Sequence, residues 1–479
     1  MRDGLSFLLN GARVDLSGVD PRATLLDWLR EARGLRGTKE GCNEGDCGAC
    51  TVGVTRLVDG APRREAVNAC IQLLPMLDGA AVTTVEGIAG PERLHPAQEA
   101  MVACHGSQCG FCTPGIVMSL WAGFGAAPEE RGRLADRLAG NLCRCTGYGP
   151  ILEAGEKMAA LPAPDWEADL GPALAALPGG SLRLEGGGAM GFVPETEAEL
   201  AALLAEHPGA VMVAGATDVG LWLTKRLERP EVLIFLNRIS GFGRVVETPE
   251  GVEIGAGATW TEAAPALARL APDLGEMIRR FASVQVRNSA TVGGNVANGS
   301  PIGDGAPSLI ALGAEVVLRS AGSERALPLE EFFLDYGRQD RRAGEYVAAL
   351  RVPRPADPEA LRVFKISKRF DQDISAVLGA FLIETEGGRV ARARIAFGGM
   401  AGVPKRARAV EAALAGRVWT RETVEAALPA FAEDFRPLTD LRASAEYRLA
   451  AARNLLLKVF LETSAPLAET RVVGRGAAA

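Results

Sequence analysis

The chain lacks the features that would place it in a membrane, outside the cell or on nucleic acid. No stretch approaches the ~20 consecutive apolar residues that a membrane-spanning helix needs. The first residues lead into a strand-like run rather than the apolar segment of a signal peptide. The formal net charge is −7 and no long basic stripe occurs, unlike a nucleic-acid-binding surface. These absences predict a cytoplasmic protein with no membrane and no nucleic-acid partner.

The length and the local patterns predict a multidomain α+β chain. With 479 residues it is too long for one hydrophobic core, and a hydrophobic content of 48% is enough for several. We expect an α+β domain at 1–88, a helical domain at 89–160, a Pro/Ala/Gly-rich linker at 161–185, a glycine-dense domain at 186–355, a sheet backed by helices at 356–465 and a tail at 466–479.

Eight of the nine cysteines fall into two sets, Cys42, Cys47, Cys50 and Cys70, and Cys109, Cys112, Cys143 and Cys145. The first set has the C-x4-C-x2-C spacing and distant fourth cysteine of plant-type [2Fe–2S] sites. The second pairs C-x2-C with C-x-C. Zinc prefers paired C-x2-C knuckles and disulfides need an exported protein, so both alternatives fit less well. The spacings therefore predict two [2Fe–2S] clusters and a redox protein.

Glycines and the ninth cysteine complete this interpretation. Gly41, Gly45 and Gly48 are expected to adopt positive φ and to turn backbone amides toward the anionic cluster, with Gly110 and Gly147 serving the second site. Cys104 lies in a helix-like run and is expected to be a buried thiol rather than a ligand.

Other local signals place the elements around these cysteines. Asn10-Gly11 predicts a two-residue hairpin turn. Leu25, Leu26 and Leu29 form one apolar helical face. Pro114 suits the first turn of a helix, and we expect four helices in the second domain.

Two glycine-rich segments follow apolar runs, at 211–220 and 290–301. Such segments are often ordinary turns, and neither matches a P-loop or G-x-G-x-x-G. Beside two one-electron centres, however, they favour a bound flavin, because a flavin links one-electron carriers to hydride chemistry. The charged run 365–369 is either a solvated face or a site for phosphates or a nicotinamide.

Several strings resemble the molybdenum hydroxylase family. They are GCNEGDCGACTV at 41–52, HGSQCGFCTPG at 105–115, NLCRCTGY at 141–148, AGATDVG at 214–220, TVGGNVANGSPIGD at 291–304 and SAEYR at 444–448. The resemblance implies a β-grasp ferredoxin-like domain, a four-helix [2Fe–2S] domain, a two-part α+β FAD-binding domain and a C-terminal α+β flavoprotein domain.

The resemblance also implies particular cofactor contacts. Gln108 corresponds to a residue that contacts the pterin, and Phe281 would stack on the flavin. The implied FAD contacts are Met212, Val213, Ala214, Gly215, Ala216, Thr217, Asp218, Val219, Phe281, Ala290, Thr291, Gly294, Asn295, Asp304 and Lys365. Ala216 stands where the family commonly has glycine or asparagine, and Gly303 stands where serine is frequent.

The resemblance further implies a partner that contains the catalytic centre, so no catalytic residue is assigned to this chain. We expect molybdopterin on a separate large subunit in an (αβ)2 assembly that hydroxylates xanthine. Electrons would pass through both clusters to FAD and then to NAD. An aldehyde or another N-heterocycle as substrate and a non-enzymatic zinc-stabilised scaffold are the alternatives.

Overall fold

The computed structural model describes residues 1–125, 134–167, 169–465 and 470–471. Most of the predicted tail at 466–479 therefore lies outside the described residues. Contacts between Cα atoms divide the chain into two compact units, Met1–Ser240 with Ser283–Ala290, and Gly241–Ala282 with Thr291–Ala479. The short segment Ser283–Ala290 thus belongs to the first unit although it lies far from the rest of that unit in sequence.

The first unit begins with a five-stranded sheet. In spatial order its strands are Ala12–Ser17, Gly4–Leu9, Ala81–Thr83, Thr51–Val58 and Ala61–Asn68, and only the pairing of Gly4–Leu9 with Ala81–Thr83 is parallel. Asn10 and Gly11 have positive φ between paired Leu9 and Ala12, which confirms the predicted hairpin turn.

A helix packs on this sheet at the position that the leucines predict. Thr24 caps the α-helix Leu25–Asp27, which continues as the π-helical turn Trp28–Ala32. Leu25, Leu26 and Leu29 are fully buried in the core that contains Phe7. Short 3-10 turns follow the sheet's strands at Ala69–Ile71, Leu74–Leu77 and Val85–Gly87.

The next part of the first unit is helical, as predicted. Its helices are Pro96–Ala103, Thr113–Ala122, Leu134–Leu138 and Gly149–Ala159. Pro114 occupies the first turn of its helix, where a missing N–H costs nothing. Met101, Ile116, Leu120, Trp121 and Ile151 are buried in their shared core. The described residues of this part thus confirm a helical domain.

A second sheet completes the first unit. Its strands, in spatial order, are Leu182–Gly186, Ala189–Val193, Val232–Phe235 and Val211–Val213, and the last two pairings are parallel. Helices Gly171–Ala175, Glu197–Glu206, Val219–Thr224 and Val284–Arg287 accompany it. Leu184, Val213 and Phe235 share one core with Phe7 and Leu26, so both sheets of this unit form a single apolar interior.

The second unit contains two antiparallel sheets. The first has the spatial order Val245–Thr248, Gly251–Gly255, Tyr346–Pro353, Glu315–Ser320 and Ser323–Pro328. The second has the order Leu361–Ile366, Val377–Glu386, Arg389–Gly398 and Lys405–Arg406. A two-stranded ribbon joins Phe333–Asp335 to Arg338–Gln339.

Helices cover these sheets. They are Trp260–Leu270, Pro272–Arg280, Val292–Asn298, Gly305–Leu312, Leu329–Phe332, Arg408–Leu414, Arg421–Ala427, Phe431–Asp434 and Ala445–Ser464, with 3-10 turns at Pro358–Ala360 and Leu428–Ala430. Ser444 caps the last helix, and Arg448 in its first turn is buried and donates to the carbonyl of Gly399 at 2.9 Å. Among the described residues, no helix is long and apolar enough to cross a bilayer.

Candidate iron–sulfur and flavin sites

The first cysteine set lies around a loop that precedes the strand Thr51–Val58. Cys42, Cys47 and Cys50 lie in or at the end of this loop, and Cys70 is brought to it by the 3-10 turn Ala69–Ile71. Cys50 and Cys70 are buried, whereas Cys42 and Cys47 are half-buried. The fold thus gathers all members of the predicted set.

Backbone amides turn toward these sulfurs, as the sequence predicts. The amides of Asp46 and Cys47 each donate to Cys42 Sγ at 3.3 Å, and the amide of Cys42 donates to Cys47 Sγ at 3.3 Å. The amide of Gly45 points at Cys70 Sγ. Donors of this kind stabilise the negative charge of a cluster and its thiolates.

The expectation of a positive φ holds for Gly45 and Gly48, at +81° and +69°, and is wrong for Gly41. Gly41 is needed for another reason, because a Cβ there would lie 2.7 Å from Cys47 Sγ. The side chain is excluded by the sulfur rather than by the backbone angle.

The thiols meet in pairs, and the pairing tests whether two irons fit. Cys42 contacts Cys47, and Cys50 contacts Cys70. Among the described residues, no three His, Cys, Asp or Glu side chains converge as they would around one metal ion. Since each iron of a [2Fe–2S] cluster takes two thiolates, thiols that meet in pairs suit the ligand arrangement of such a cluster.

The second set lies where two loops meet helix ends. Cys112 immediately precedes the helix Thr113–Ala122, and Cys143 and Cys145 lie in the loop before Gly149–Ala159. The thiols again pair, Cys109 with Cys145 and Cys112 with Cys143. Cys109 and Cys145 are exposed, so this quartet lies at the surface of its unit. Gly110 and Gly147 have φ of +83° and +68°, as expected.

Burial and the Cys143 thiol raise the pKa of the Cys112 thiol to about 12. A thiol with this pKa remains protonated at neutral pH until a metal ion supplies positive charge. Assembly of a cluster at this quartet must therefore release protons, as is general for thiolate metal sites.

Tyr148 is a part of this site that the sequence reasoning did not assign. Its hydroxyl accepts a hydrogen bond from the amide of Cys143 at 2.9 Å. Its own amide donates to Thr146 Oγ1 at 3.1 Å, and its φ of +67° is left-handed. The only available signal was its position at the end of the string NLCRCTGY. Tyr148 closes the loop that presents Cys143 and Cys145.

Cys104 has the environment that was expected of it. It ends the helix Pro96–Ala103 and is buried in the helical core beside Met101 and Ile116. Gln108, which the resemblance associates with the pterin, is exposed next to Cys109.

In the first unit, the glycine-rich segment at 211–220 forms a tight turn between the strand Val211–Val213 and the helix Val219–Thr224. A Cβ at Gly215 would lie 1.8 Å from the carbonyl oxygen of Ser289, so glycine allows the segment that carries Ala290 to approach. Ala216 has a φ of +56°, a region that glycine or asparagine adopts more readily, which explains the family's usual residues there.

The amides of this turn fit an anionic ligand. Among the described residues, no backbone acceptor is found for the amides of residues 215–218. Successive free amides around a left-handed residue form a concave anion-binding nest. Asp218 is engaged with Trp222, whose Nε1 donates to Oδ2 at 2.9 Å. Met212, Thr217 and Val219 are half-buried, and Val213 is buried.

In the second unit, the other glycine-rich segment differs. Thr291 caps the helix Val292–Asn298, and its Oγ1 accepts from the amide of Gly294 at 3.0 Å. The amides of Val292, Gly293 and Asn295 also donate to backbone carbonyls. These four amides are therefore already bonded within the chain, unlike the amides of the turn at 215–218.

Two of the predicted flavin contacts are bonded to each other in the second unit. The ammonium of Lys365 forms an ion pair with Asp304, and both side chains are only 4% exposed. Ser375 Oγ donates to the other carboxylate oxygen of Asp304 at 2.6 Å. Of the two interpretations of the charged run, a solvated face fits exposed Lys368 and Arg369 but not Lys365.

Phe281 lies in the same unit against a tryptophan. Its ring centroid is 5.2 Å from that of Trp260, which is fully buried and whose indole N–H finds no hydrogen-bond partner in the part of the chain that the structure describes. The sequence reasoning did not single out Trp260. The two rings are inclined by 52° to each other, and Phe281, unlike Trp260, is only half-buried, so Phe281 is the ring of this pair that can offer a face for stacking.

Comparison with known families covers most of the chain. Four family models match: a 2Fe-2S iron-sulfur cluster binding domain at 7–74, a [2Fe-2S] binding domain at 84–156, the FAD binding domain in molybdopterin dehydrogenase at 189–355, and the CO dehydrogenase flavoprotein C-terminal domain at 362–463.

Individual relatives agree with these matches. Xanthine dehydrogenase/oxidase of Rattus norvegicus is 31% identical over 96% of this chain and 39% of its own length. Aldehyde oxidase 2 of Cavia porcellus is 33% identical over 89% of this chain and 37% of its own length. This chain thus spans about two fifths of the length of these relatives.

A solved structure matches over nearly its whole length. It is a carbon monoxide dehydrogenase from Hydrogenophaga pseudoflava that lacks the Mo-pyranopterin moiety of the molybdenum cofactor. It has a TM-score of 0.54 and 31% identity, and the match covers 59% of this chain and 98% of that one. Quinoline 2-oxidoreductase from Pseudomonas putida 86 matches with a TM-score of 0.52 and 26% identity, over 56% of this chain and 94% of that one.

The chain belongs to the molybdenum hydroxylase family, as the cysteine strings predict. Within that family it is an iron–sulfur and FAD electron-transfer component of an oxidoreductase, with two [2Fe–2S] domains, an FAD-binding domain and a C-terminal flavoprotein domain. The multidomain α+β fold class is confirmed with it.

Proposed function

We propose that this chain is the electron-transfer part of a xanthine dehydrogenase. It would carry electrons from a molybdenum centre on a partner chain through two [2Fe–2S] clusters to FAD and then to NAD. The observation that supports this most is the direct contact of the two cysteine loops. The amide of Leu142, next to Cys143, donates to the carbonyl of Cys47 at 3.0 Å. Two one-electron sites linked in this way form a relay.

The residues that would hold the cofactors are those gathered by the fold. We assign the eight thiols of the two quartets as cluster ligands, because each quartet consists of two contacting thiol pairs. We assign the free amides of residues 215–218 to the anionic part of FAD. FAD supplies the conversion of single electrons into hydride transfer. Reduced thiols are required for cluster assembly, which favours the cytoplasm.

The surface around the second quartet supports a partner chain. Beside the exposed Cys109 and Cys145, the apolar side chains of Phe111, Leu142 and Tyr148 are 48%, 40% and 37% exposed. An apolar rim around a redox site is suited to burial against another protein. We propose that a molybdopterin-binding large subunit covers it, in an (αβ)2 assembly.

A second function of the same kind is a hydroxylase for an aldehyde or another N-heterocycle. The 33% identity to an aldehyde oxidase and the structural match to a quinoline 2-oxidoreductase favour it. The substrate would bind on the partner, so the relay on this chain serves either reaction.

The test uses the complex that co-purifies with the tagged chain. Xanthine, hypoxanthine, an aldehyde and quinoline are each supplied with either NAD or oxygen as acceptor. We expect urate formation coupled to NADH formation with xanthine. Turnover confined to an aldehyde or quinoline establishes the second function instead. A chain that contains zinc without iron and acid-labile sulfide refutes both and supports a zinc-stabilised scaffold.

A further inference from the structure

The two cysteine loops touch through their backbones. A Cβ at Gly48 would lie 2.0 Å from the carbonyl oxygen of Gly140, and a Cβ at Gly115 would lie 2.2 Å from the carbonyl oxygen of Gly48. No side chain separates the loops at these points. The hydrogen bond from Leu142 to Cys47 lies beside this contact and joins the residue next to Cys143 directly to a residue of the first quartet.

A buried amide holds this contact in place. Asn141 Nδ2 donates to the carbonyl of Gly48 and to Thr51 Oγ1, each at 3.1 Å. Asn141 Oδ1 accepts from Ser119 Oγ at 2.6 Å and from Gln285 Nε2 at 2.9 Å. A side-chain amide has two donors and two acceptor sites, so every one at Asn141 is used. Asn141 is therefore fixed in a single orientation.

Gln285 comes from outside both iron–sulfur domains. It lies in the short helix Val284–Arg287, within the range matched by the FAD-binding family model. It is fully buried, and its Nε2 also donates to Ser119 Oγ at 2.9 Å. Its Oε1 has no hydrogen-bond partner within the described ranges and packs against Gly140, where a Cβ would be 1.9 Å away. A buried amide oxygen without a partner is costly, so its placement here needs a reason.

We propose that Asn141, Ser119 and Gln285 are positioning residues for electron transfer between the two clusters. They hold the Leu142 amide on the Cys47 carbonyl, and that hydrogen bond sets how strongly the two sites are coupled. The transfer moves one electron, which one cluster loses and the other gains, and no bond is made or broken. This inference rests on the ligand assignment proposed above.

The physical reason is that the electronic coupling between the two clusters depends on the gap between the two cysteine loops. A hydrogen bond bridges the gap, whereas a loosened contact leaves open space. Asn141 uses all of its side-chain donors and acceptors and therefore holds the junction rigidly, so the loss of one of its partners should loosen the contact. Gln285 thereby connects the range matched by the FAD-binding family model to the junction between the two iron–sulfur domains.

The test replaces Gln285 with methionine, which keeps the length of the side chain and removes both polar atoms. In the full chain with both clusters reduced, we expect the spin–spin splitting of the EPR signals to diminish. We also expect the rate of electron equilibration after a rapid one-electron pulse to fall several-fold. Hydrogen exchange of the Leu142 amide should accelerate. Iron content and the separate signal of each cluster should remain those of the wild type.

Asn288→Ala is the matched control. Asn288 lies three residues from Gln285 and is also buried, and its Nδ2 donates to the carbonyl of Ala66 at 2.9 Å. It should leave the splitting and the rate unchanged. If the Gln285→Met chain does not bind both clusters, Ser119→Ala replaces it. We expect the EPR splitting and the equilibration rate of Ser119→Ala to fall as well, but by less.

The possible outcomes separate this inference from the proposed function. Faster exchange at Leu142 with unchanged splitting and rate overturns the positioning role and leaves the network a structural one. A wild-type chain that fails to load two clusters refutes the ligand assignment itself.

Discussion

The two cysteine quartets offer the same thiol ligands for a cluster but lie in different surroundings. The first is wrapped by a loop whose amides point at the sulfurs, and Cys50 and Cys70 are buried. The second has Cys109 and Cys145 exposed beside apolar side chains. Backbone amides also point at sulfurs of the second quartet, so the two quartets differ mainly in solvent exposure, which helps to set the reduction potential of such clusters. The difference supports the proposed roles, an internal relay for the first quartet and an exchange with a partner chain for the second.

Single serine substitutions in each quartet should separate the two sites most strongly. Cys109→Ser should remove the second cluster and halve the iron content with little change in stability. Cys70→Ser should remove the first cluster and also destabilise the fold by about 1–3 kcal/mol, because it leaves a buried hydroxyl without its partner. Iron analysis, EPR and denaturant unfolding measure these effects.

Cys104→Ser is the control for both variants, because this buried cysteine lies outside the quartets. It should leave the iron content unchanged. A halved iron content in Cys104→Ser would show that the ligands are assigned wrongly.

The next prediction concerns a substitution that disrupts the contact between the two cysteine loops. Gly48→Ala should destabilise the chain by about 2–5 kcal/mol, because its φ of +69° is strained for alanine and its Cβ would meet the Gly140 carbonyl. Gly60→Ala, at a φ of +81° with nothing within 4 Å, should cost only about 1–2 kcal/mol. Equal costs in chemical unfolding would contradict a tight junction between the quartets.

We expect acid to lower the free energy of unfolding of the helical domain that contains the second quartet, because His95 is buried there. Burial lowers the pKa of His95 to about 4 from 6.5. Between pH 6.5 and 4, His95 is protonated in the unfolded chain but neutral in the folded chain. The folded state therefore loses stability as the pH falls from 6.5 toward 4. The loss is at most about 3 kcal/mol. Unfolding measured across this range tests the expectation.

His95→Asn is the matched variant, since His95 Nδ1 caps the helix Pro96–Ala103 by accepting the amide of Ala97 at 3.0 Å and asparagine can cap equally. The variant should flatten the pH dependence between 6.5 and 4. An unchanged slope would assign the acid sensitivity to other groups.

The smallest expected effect concerns charge at the first quartet. The ammonium of Lys225 contacts the Cys42 carbonyl and lies 3.8 Å from Glu44. Lys225→Gln removes a positive charge beside an anionic cluster, so the reduction potential of the first cluster should fall by roughly 20–50 mV, the size expected of a screened unit charge. Redox titration followed by EPR should show no shift of the second cluster, nor of either cluster in the remote control Lys405→Gln.

Local signals were sufficient for much of this molecule. Cysteine spacing predicted both quartets, whose thiols the fold brings together in pairs. Asn10-Gly11 and Pro114 were predicted correctly because turn and helix-start geometry depend on adjacent residues. Other features depend on distant groups. Gly41 is required by a sulfur, not by its own φ. The bonded amides behind Thr291 could not be read from a glycine-rich string.

By itself, the sequence determined the class of cofactors and the mixed α+β domains, because cysteine spacing and hydrophobic periodicity are properties of short segments. Only the tertiary structure decided how these parts are connected. It placed Ser283–Ala290 in the first unit, paired Lys365 with Asp304, and brought Gln285 to Asn141 across a separation of 144 residues. Such contacts arise when separate segments bury their surfaces together, and no local pattern specifies which segments will meet.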